Sequence, residues 1–593
     1  MSDKTRAKAP ERPAGGERFV GLALFACMVI GAFLRVRGIA AQIPLDDEWH
    51  GLDFALTHNL WFLFTHFSRA GANSVPFNLG LRALLDTVGW TETTIALPSL
   101  VAGVALLWVF PQWVRRRFGA AAALATAALL AVAPFLVFYS RTARVYSVLL
   151  LLECLALLGL NQWLHEGRRR HAVAFVGFGA LALWAHASAL APMLAAVATA
   201  ATYRAWVGKS TGDRPSPGPR QIALAGFAMI GLAAALWLPA LLGALPSPVH
   251  PSAQFSLNTL IGLTELWSGS EDWTIRFLWG VSAVAGIVLA LRVAREDVLV
   301  LAAVVGGSAL VVLSTRPNLA GIPAVLARYL LPAFLLFGLG IGVGFQALVR
   351  AAPTAIRYLL WGMGCALLLF LYALGPLPDI HAQPNNFTKH PALQFTYEIL
   401  DPDRARPDPL VEGDKAGMLR SELQPVYALL ATEGGSAPVI EYPFLLGEDA
   451  NLLYFAQQVH RRPVLAGYYR SGAQDRDVFG LAVGSRGAQE PAHRSPGYIM
   501  NAMMIDHVLG RHQVDSRVRF RTVVDILDPA AVKRSGAEYL ILHGNILREF
   551  FRIGPAYVRS YFVGRIRDQL SVRYGAPVFD NGLVTVFRLS DRR

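Results

Sequence analysis

Apolar residues come in run after run of about 17 to 22, and no other feature restricts this chain so tightly. A helix rising ~1.5 Å per residue needs that length to cross ~30 Å of hydrocarbon, so the runs predict a polytopic α-helical membrane protein. Composition agrees. Of 593 residues, 54% are apolar and only 16% charged, which excludes fibrous, disordered and nucleic-acid-binding chains. Spans are expected at roughly 19–39, 92–113, 119–139, 144–164, 172–186, 188–207, 221–243, 277–294, 298–315, 329–349 and 358–376, about 11 in all. The N-terminal cations precede the first run as in a signal peptide, but no convincing cleavage site follows, so this run is read as a retained helix. Cys27, Cys154 and Cys365 all fall inside spans and read as packing residues.

The formal charge of +13 is carried by the membrane half: residues 1–376 hold 28 Lys and Arg against 17 acids, and residues 377–593 hold 26 against 24. With an N-terminal tail (1–18) in the cytoplasm, 19 of those 28 cations lie on one side, including Arg115–Arg117, Arg168–Arg170 and Arg204 to Arg220. This orients the chain in a cell inner (cytoplasmic) membrane, N-terminus cytoplasmic. An odd number of spans then puts residues 377–593 outside, as a periplasmic or extracytoplasmic α/β domain with strands at Pro438–Tyr442, Glu538–His543 and, after the hairpin signal Asp580-Asn581-Gly582, Leu583–Leu589. A helix is expected at Asp449–His460. The first external loop, about 40–91, should carry two short interfacial helices around Leu60–Phe67 and Phe77–Leu85.

The sharpest local feature is Asp46-Asp47-Glu48, followed by Trp49 and His50, just outside the first span. Adjacent carboxylates repel, and beside a low-dielectric boundary one of them gains by taking a proton or a cation, which suits a general base. The competing reading is a solvated helix start. Arg141 and Arg144, three apart in a short external connection with Tyr146, can hold an anion such as a lipid phosphate, or merely snorkel to headgroups. Arg328-Tyr329 repeats the idea. Glu271-Asp272 offers further carboxylates or an ordinary solvated loop; His50 and His186 read as ligands to metal or acceptor or as plain hydrogen-bonded side chains. Glu153, mid-span, reads as a buried structural hydrogen-bonder or part of a polar path. Nucleotide loops, HExxH and Gly-x-Ser-x-Gly are missing from the sequence, so no nucleotide cofactor is expected.

These residues, taken with Pro76-Phe77-Asn78-Leu79, Glu92, Leu97-Pro98-Ser99-Leu100-Val101-Ala102-Gly103 and Arg328-Tyr329-Leu330-Leu331-Pro332, resemble the membrane glycosyltransferases of the GT-C class. The likeness is to the branch of protein O-mannosyltransferases, the lipid A aminoarabinose transferase and bacterial arabinofuranosyltransferases, over about residues 19–376. It implies a GT-C-like catalytic domain, a polyprenyl-monophosphate sugar donor, an envelope glycan, lipid or protein acceptor, and inverting transfer on the external face. The family's carboxylate pair falls on Asp47 and Glu48, with Asp46 making a triple. Relatives use metal-bridged and metal-free modes, so a divalent cation (Mg2+, Mn2+ or Ca2+) on Asp46, Asp47 and Glu48 stays open. Rival classes are a lipid-sugar transporter or flippase, a non-enzymatic envelope scaffold, and a polymerase or ligase with a pyrophosphate-linked donor.

Overall fold

The computed structural model describes residues 14–374, apart from most of 38–57, all of 68–73, 208–215 and 245–255, most of 318–322, and residues 90 and 271. Beyond these it describes segments at 424–442, 536–544 and 567–589 and a few residues within 460–465 and at 564. The chain divides into two compact units, the first made of Met1–Gln42, Phe54–Leu245 and His250–Phe395, the second of Ile43–Asp53, Pro246–Val249 and Thr396–Arg593.

Helices of the first unit lie on all eleven predicted stretches. They are α1 (Ala14–Val36), α4 (Glu92–Arg117), the pair α5 (Ala120–Val132) and α6 (Pro134–Arg141), α7 (Tyr146–Glu166), α8 (Arg169–Ala185), α9 (Leu190–Val207), α10 (Pro219–Leu242), α12 (Trp273–Val293), α13 (Arg295–Thr315), α15 (Leu331–Ala351) and α16 (Thr354–Leu374). Between them stand the short α2 (Leu60–Thr65), α3 (Val75–Thr87), α11 (Leu257–Ser268) and α14 (Pro323–Tyr329). Among the described residues six helices are long and apolar enough to cross a membrane alone, seven if the pair α5 and α6 is one span. The straight span expected over 119–139 is therefore broken, with 57° between its halves. Pro134 explains the break: it has no N–H to give the carbonyl four residues back, and its ring crowds that turn.

Local chemistry sets the boundaries. Thr91 accepts from the Thr94 N–H at 2.9 Å to start α4, and Ser74 followed by Pro76 starts α3. Gly167, at φ 68°, ends α7 in the left-handed region that a side chain disfavours. Large apolar side chains recur on outward faces, as at Phe277, Val281, Val284 and Val288 of α12, all more than 45% exposed, which only a lipid solvent makes tolerable. Inside, alanine and glycine let backbones approach. A Cβ on Gly286 would stand 1.6 Å from the carbonyl oxygen of Gly340, so α12 and α15 cross through glycine alone.

At one end of the bundle the basic helix termini are tied together. Arg117 at the end of α4 pairs with Asp297 at 2.5 Å, His165 joins the same carboxylate at 2.9 Å, and Arg204 holds Glu296 with two bonds of 2.6 Å. These contacts put the ends of α4, α7 and α9 and the start of α13 on one face, the grouping that the loop charges predicted. Among the described residues of the second unit, a helix α17 (Gln424–Glu433) covers a five-stranded sheet of order β4-β3-β5-β7-β6, where β3 is Val439–Tyr442, β4 Val464–Leu465, β5 Tyr539–His543, β6 Phe579–Asp580 and β7 Val584–Arg588 (β1, His66–Phe67, and β2, Gly243–Ala244, pair in the first unit). The β3 and β5 strands run parallel, and β7 returns antiparallel from the Asp580-Asn581-Gly582 turn, as the hairpin signal required. The helix expected at Asp449–His460 lies, except for His460, outside the described residues.

Candidate functional site

The opposite end of the bundle gathers the sequence-predicted cations. Pro134 starts α6, which carries Tyr139, Ser140 and Arg141 to its last turn; a short irregular link bearing Arg144 then feeds into α7 at Tyr146. The main-chain carbonyl of Arg144 accepts from the Ser99 hydroxyl at 2.7 Å, so α4 fixes the link. From the other side, α14 ends at Arg328-Tyr329 just before Pro332 opens α15.

Tyr146 is the meeting point. The Arg328 guanidinium carbon lies 5.1 Å from its ring centroid and that of Arg144 5.7 Å, while Arg328 also stands 5.2 Å from the Tyr329 ring. Tyr139, at 5.5 Å, and His186, at 6.0 Å, close the aromatic shell. Tyr146, Arg144 and Arg328 are all buried, and His186 is oriented by Ser188, whose hydroxyl is 2.6 Å from its Nδ1. Cation–π contact favours each guanidinium here, yet two like charges converging on one ring repel. An anion between them relieves that repulsion through charge-assisted hydrogen bonds.

Arg141, expected to act beside Arg144, faces elsewhere. Its Nη1 donates to the main-chain carbonyls of Arg35 at 3.0 Å and Arg37 at 2.5 Å, oxygens at the end of α1. Arg35 is a residue that sequence reasoning missed, although a charge inside the first apolar run was the signal for it. Only 1% exposed, it donates to the Ser140 hydroxyl at 3.1 Å and to the carbonyls of Gly31, Ala131 and Leu130. The Leu130 carbonyl is the one that Pro134 leaves unpaired.

Beneath Tyr146 a small polar cavity is lined by Glu153, Ser188, Ser308, Arg328 and Tyr329 among apolar neighbours. The hydrogen-bond partner expected for Glu153 is not there: its carboxyl makes no hydrogen bond or ion pair among the described residues. At the start of α12, Asp272 is a helix cap, its carboxylate accepting from the Ile275 N–H at 3.0 Å; Glu265, unforeseen, is the acid that pairs with Arg276 at 3.0 Å. Of the acidic triple, Glu48 is described, helical and 2% exposed, in the second unit. Asp46, Asp47, His50 and Glu271 lie outside the described residues. Among the described residues no three His, Cys, Asp or Glu side chains are grouped to hold a metal ion.

Residues 77–212 match the family described as dolichyl-phosphate-mannose-protein mannosyltransferase. Among curated proteins no sequence matches the chain. Among solved structures it is similar to ArnT from Cupriavidus metallidurans in the apo state, with TM-score 0.49 and 13% identity over 97% of this chain and 99% of that one. It is also similar to the Archaeoglobus fulgidus oligosaccharyltransferase (TM-score 0.45, 12% identity, 97% of this chain and 74% of that one) and to the arabinofuranosyltransferase AftD from Mycobacteria (0.44, 16%, 89% and 37%). The family match meets the resemblance read from the motifs. Residues 77–212, the part of the chain that the family model matches, hold Arg141, Arg144, Tyr146 and Glu153.

Proposed function

We propose that the chain transfers a sugar from a polyprenyl-monophosphate donor to an envelope glycan, lipid or protein acceptor, in one inverting displacement on the extracytoplasmic face of the membrane. The observation that supports this reading is the convergence of Arg144 and Arg328 on Tyr146, two buried guanidiniums beside one ring.

In the displacement, Asp47 takes the proton of the acceptor hydroxyl as its oxygen attacks the anomeric carbon, with Asp46 the alternative base. The bond from that carbon to the phosphate oxygen breaks, and the electron pair leaves with the lipid phosphate. Charge therefore grows on the phosphate in the transition state, where Arg144 and Arg328 stabilise it more than in the ground state. Glu48 positions donor or acceptor, or shares a divalent cation with the aspartates; treatment with a chelator separates the two. Arg141 holds the α1 and α6 ends in register beneath the arginines.

The test is incubation of purified enzyme with a small panel of polyprenyl-phosphate sugars and mass spectrometry for released polyprenyl phosphate. Release that depends on acceptor supports the reading; a panel with no release, or activity only with a pyrophosphate-linked donor, overturns it. A reporter fused after Gly375 tests the external placement of residues 377–593, and a cytoplasmic result would remove the domain from the face of the reaction.

A further inference from the structure

His186 stands beside the converging arginines, and the displacement does not use it. Its extended backbone ends α8, and its side chain caps the single 3-10 turn Ala187–Ala189 that leads into α9. The cap fixes the chemistry of the ring. Nδ1 accepts from the Ser188 main-chain N–H at 3.2 Å, and a ring nitrogen that accepts carries no proton. The imidazole is therefore neutral, with its one proton on Nε2. The Ser188 hydroxyl, 2.6 Å from the same Nδ1, donates to it and holds that tautomer. Nε2 makes no hydrogen bond among the described residues, and the residue is only partly buried, so this N–H is open to a ligand. The ring lies 6.0 Å from that of Tyr146, on which Arg144 and Arg328 converge at 5.7 and 5.1 Å, and both guanidiniums act on it electrostatically. A third cation in this place would be repelled by the other two, whereas a neutral donor adds a hydrogen bond for an anion without that cost.

We propose that the Nε2–H of His186 is a third ligand of the lipid phosphate, a neutral hydrogen-bond donor to an oxygen of the group that Arg144 and Arg328 hold. This rests on the phosphate-binding role given to those arginines. The guanidiniums supply charge and the imidazole supplies direction. Because Ser188 sets the tautomer and the ring orientation before the ligand arrives, no proton has to move and no rotamer has to be chosen when the phosphate binds.

The experiment titrates undecaprenyl phosphate, and undecaprenol as the same lipid without its headgroup, against the full chain in detergent. His186→Asn puts an amide oxygen where Nδ1 was, so it keeps the cap and loses the donor; His186→Gln reaches the Nε2 position with an N–H and gives up the cap. His186→Asn should bind undecaprenyl phosphate roughly ten- to a hundredfold more weakly at an unchanged melting temperature, the loss expected for a hydrogen bond to a charged group. His186→Gln should bind within about threefold of wild type and melt lower, while undecaprenol should bind all three proteins alike. A residue that only caps the turn gives the opposite order. Wild-type affinity for undecaprenyl phosphate in His186→Asn, a loss that follows the melting temperature, or an equal loss for undecaprenol overturns the proposal. The Asn form decides wherever it folds; if it does not fold, the Gln form decides, near-wild-type binding supporting the proposal and a tenfold loss overturning it. Failure of the wild type itself to bind undecaprenyl phosphate sinks the reading of Arg144 and Arg328 and this proposal with it, and that failure is read from the wild-type titration alone.

Discussion

Arg141 donates to the main-chain carbonyl of Arg35 at 3.0 Å, and the side chain of Arg35 in turn reaches the Leu130 carbonyl that Pro134 cannot serve. The two arginines thus each satisfy a helix end belonging to the other's neighbourhood. In hydrocarbon no water can do so. Arg141, which looks like a ligand in the sequence, and Arg35, which the sequence reading passed over, both serve backbone carbonyls here, and the break they stabilise aims Tyr139 and the link to Arg144 at Tyr146.

Removing either should therefore cost stability first. Arg35→Met leaves the Leu130 carbonyl orphaned and should destabilise by about 1–3 kcal/mol, with Arg141→Ala costing a comparable amount. Melting in detergent reads the loss. A donor KM raised in Arg141→Ala at unchanged melting temperature would instead put Arg141 on the phosphate.

Arg144→Ala and Arg328→Ala should show the reverse pattern. Each removes a charged hydrogen-bond donor to the phosphate, worth about 2–4 kcal/mol in the transition state, so kcat/KM should fall roughly 30- to 1000-fold with melting little changed. Tyr146→Phe keeps the ring face and should be nearly silent, whereas Tyr146→Leu should behave as a mild version of the arginine losses. Steady-state kinetics with a polyprenyl-phosphate sugar separate these outcomes.

The helices were legible because a long apolar run has one solution in lipid, and that argument needs no partner. The hairpin at Asp580-Asn581-Gly582 was legible for the same local reason. The bend at Pro134 was written in the sequence too, but a proline in a membrane helix breaks it only if something else serves the freed carbonyl, and Arg35 is far away in sequence. Roles of single charges were less legible, because Arg141, Arg144 and Arg328 are one residue type at or beside helix ends and differ only in what packs against them. Arg328 and Tyr146 were both singled out, but their contact needs α7 and α14 to meet, a tertiary fact.

The second unit should be acid-labile. Burial first, with the nearby Arg462, lowers the His460 imidazole from 6.5 to about 4 against the pull of Glu441. An unfolded chain then takes up a proton below pH 6.5 that the folded one refuses, so stability falls from 6.5 toward 4. Glu538, held below its ordinary value chiefly by the Arg462 hydrogen bond, adds a loss at lower pH as it protonates. Hydrogen exchange of the peptide spanning Tyr539–His543, corrected for intrinsic rate, should quicken across that window in the full chain. His460→Asn should flatten the upper part and leave the lower; an unaltered profile in that variant would remove His460 as the cause.

The base is the last and most exposed prediction. Glu48, 2% exposed, is the one member of the triple with a described environment, and a carboxylate so buried suits a fixed, positioning role better than proton uptake from a bulky acceptor. The proposed displacement gives the proton to Asp47, with Asp46 the alternative. Asp47→Asn keeps size and hydrogen-bonding shape while removing the ability to accept a proton, so turnover should fall ~10² to 10⁴-fold with donor binding largely kept. Asp46→Asn should be milder, and a reversed order moves the base by one residue while the displacement stands. Glu48→Gln should raise KM or cost stability more than it lowers turnover at saturation. Full sugar transfer in all three variants would make the triple a solvated helix start, and the proton of the acceptor would have to leave by a route that does not involve these carboxylates.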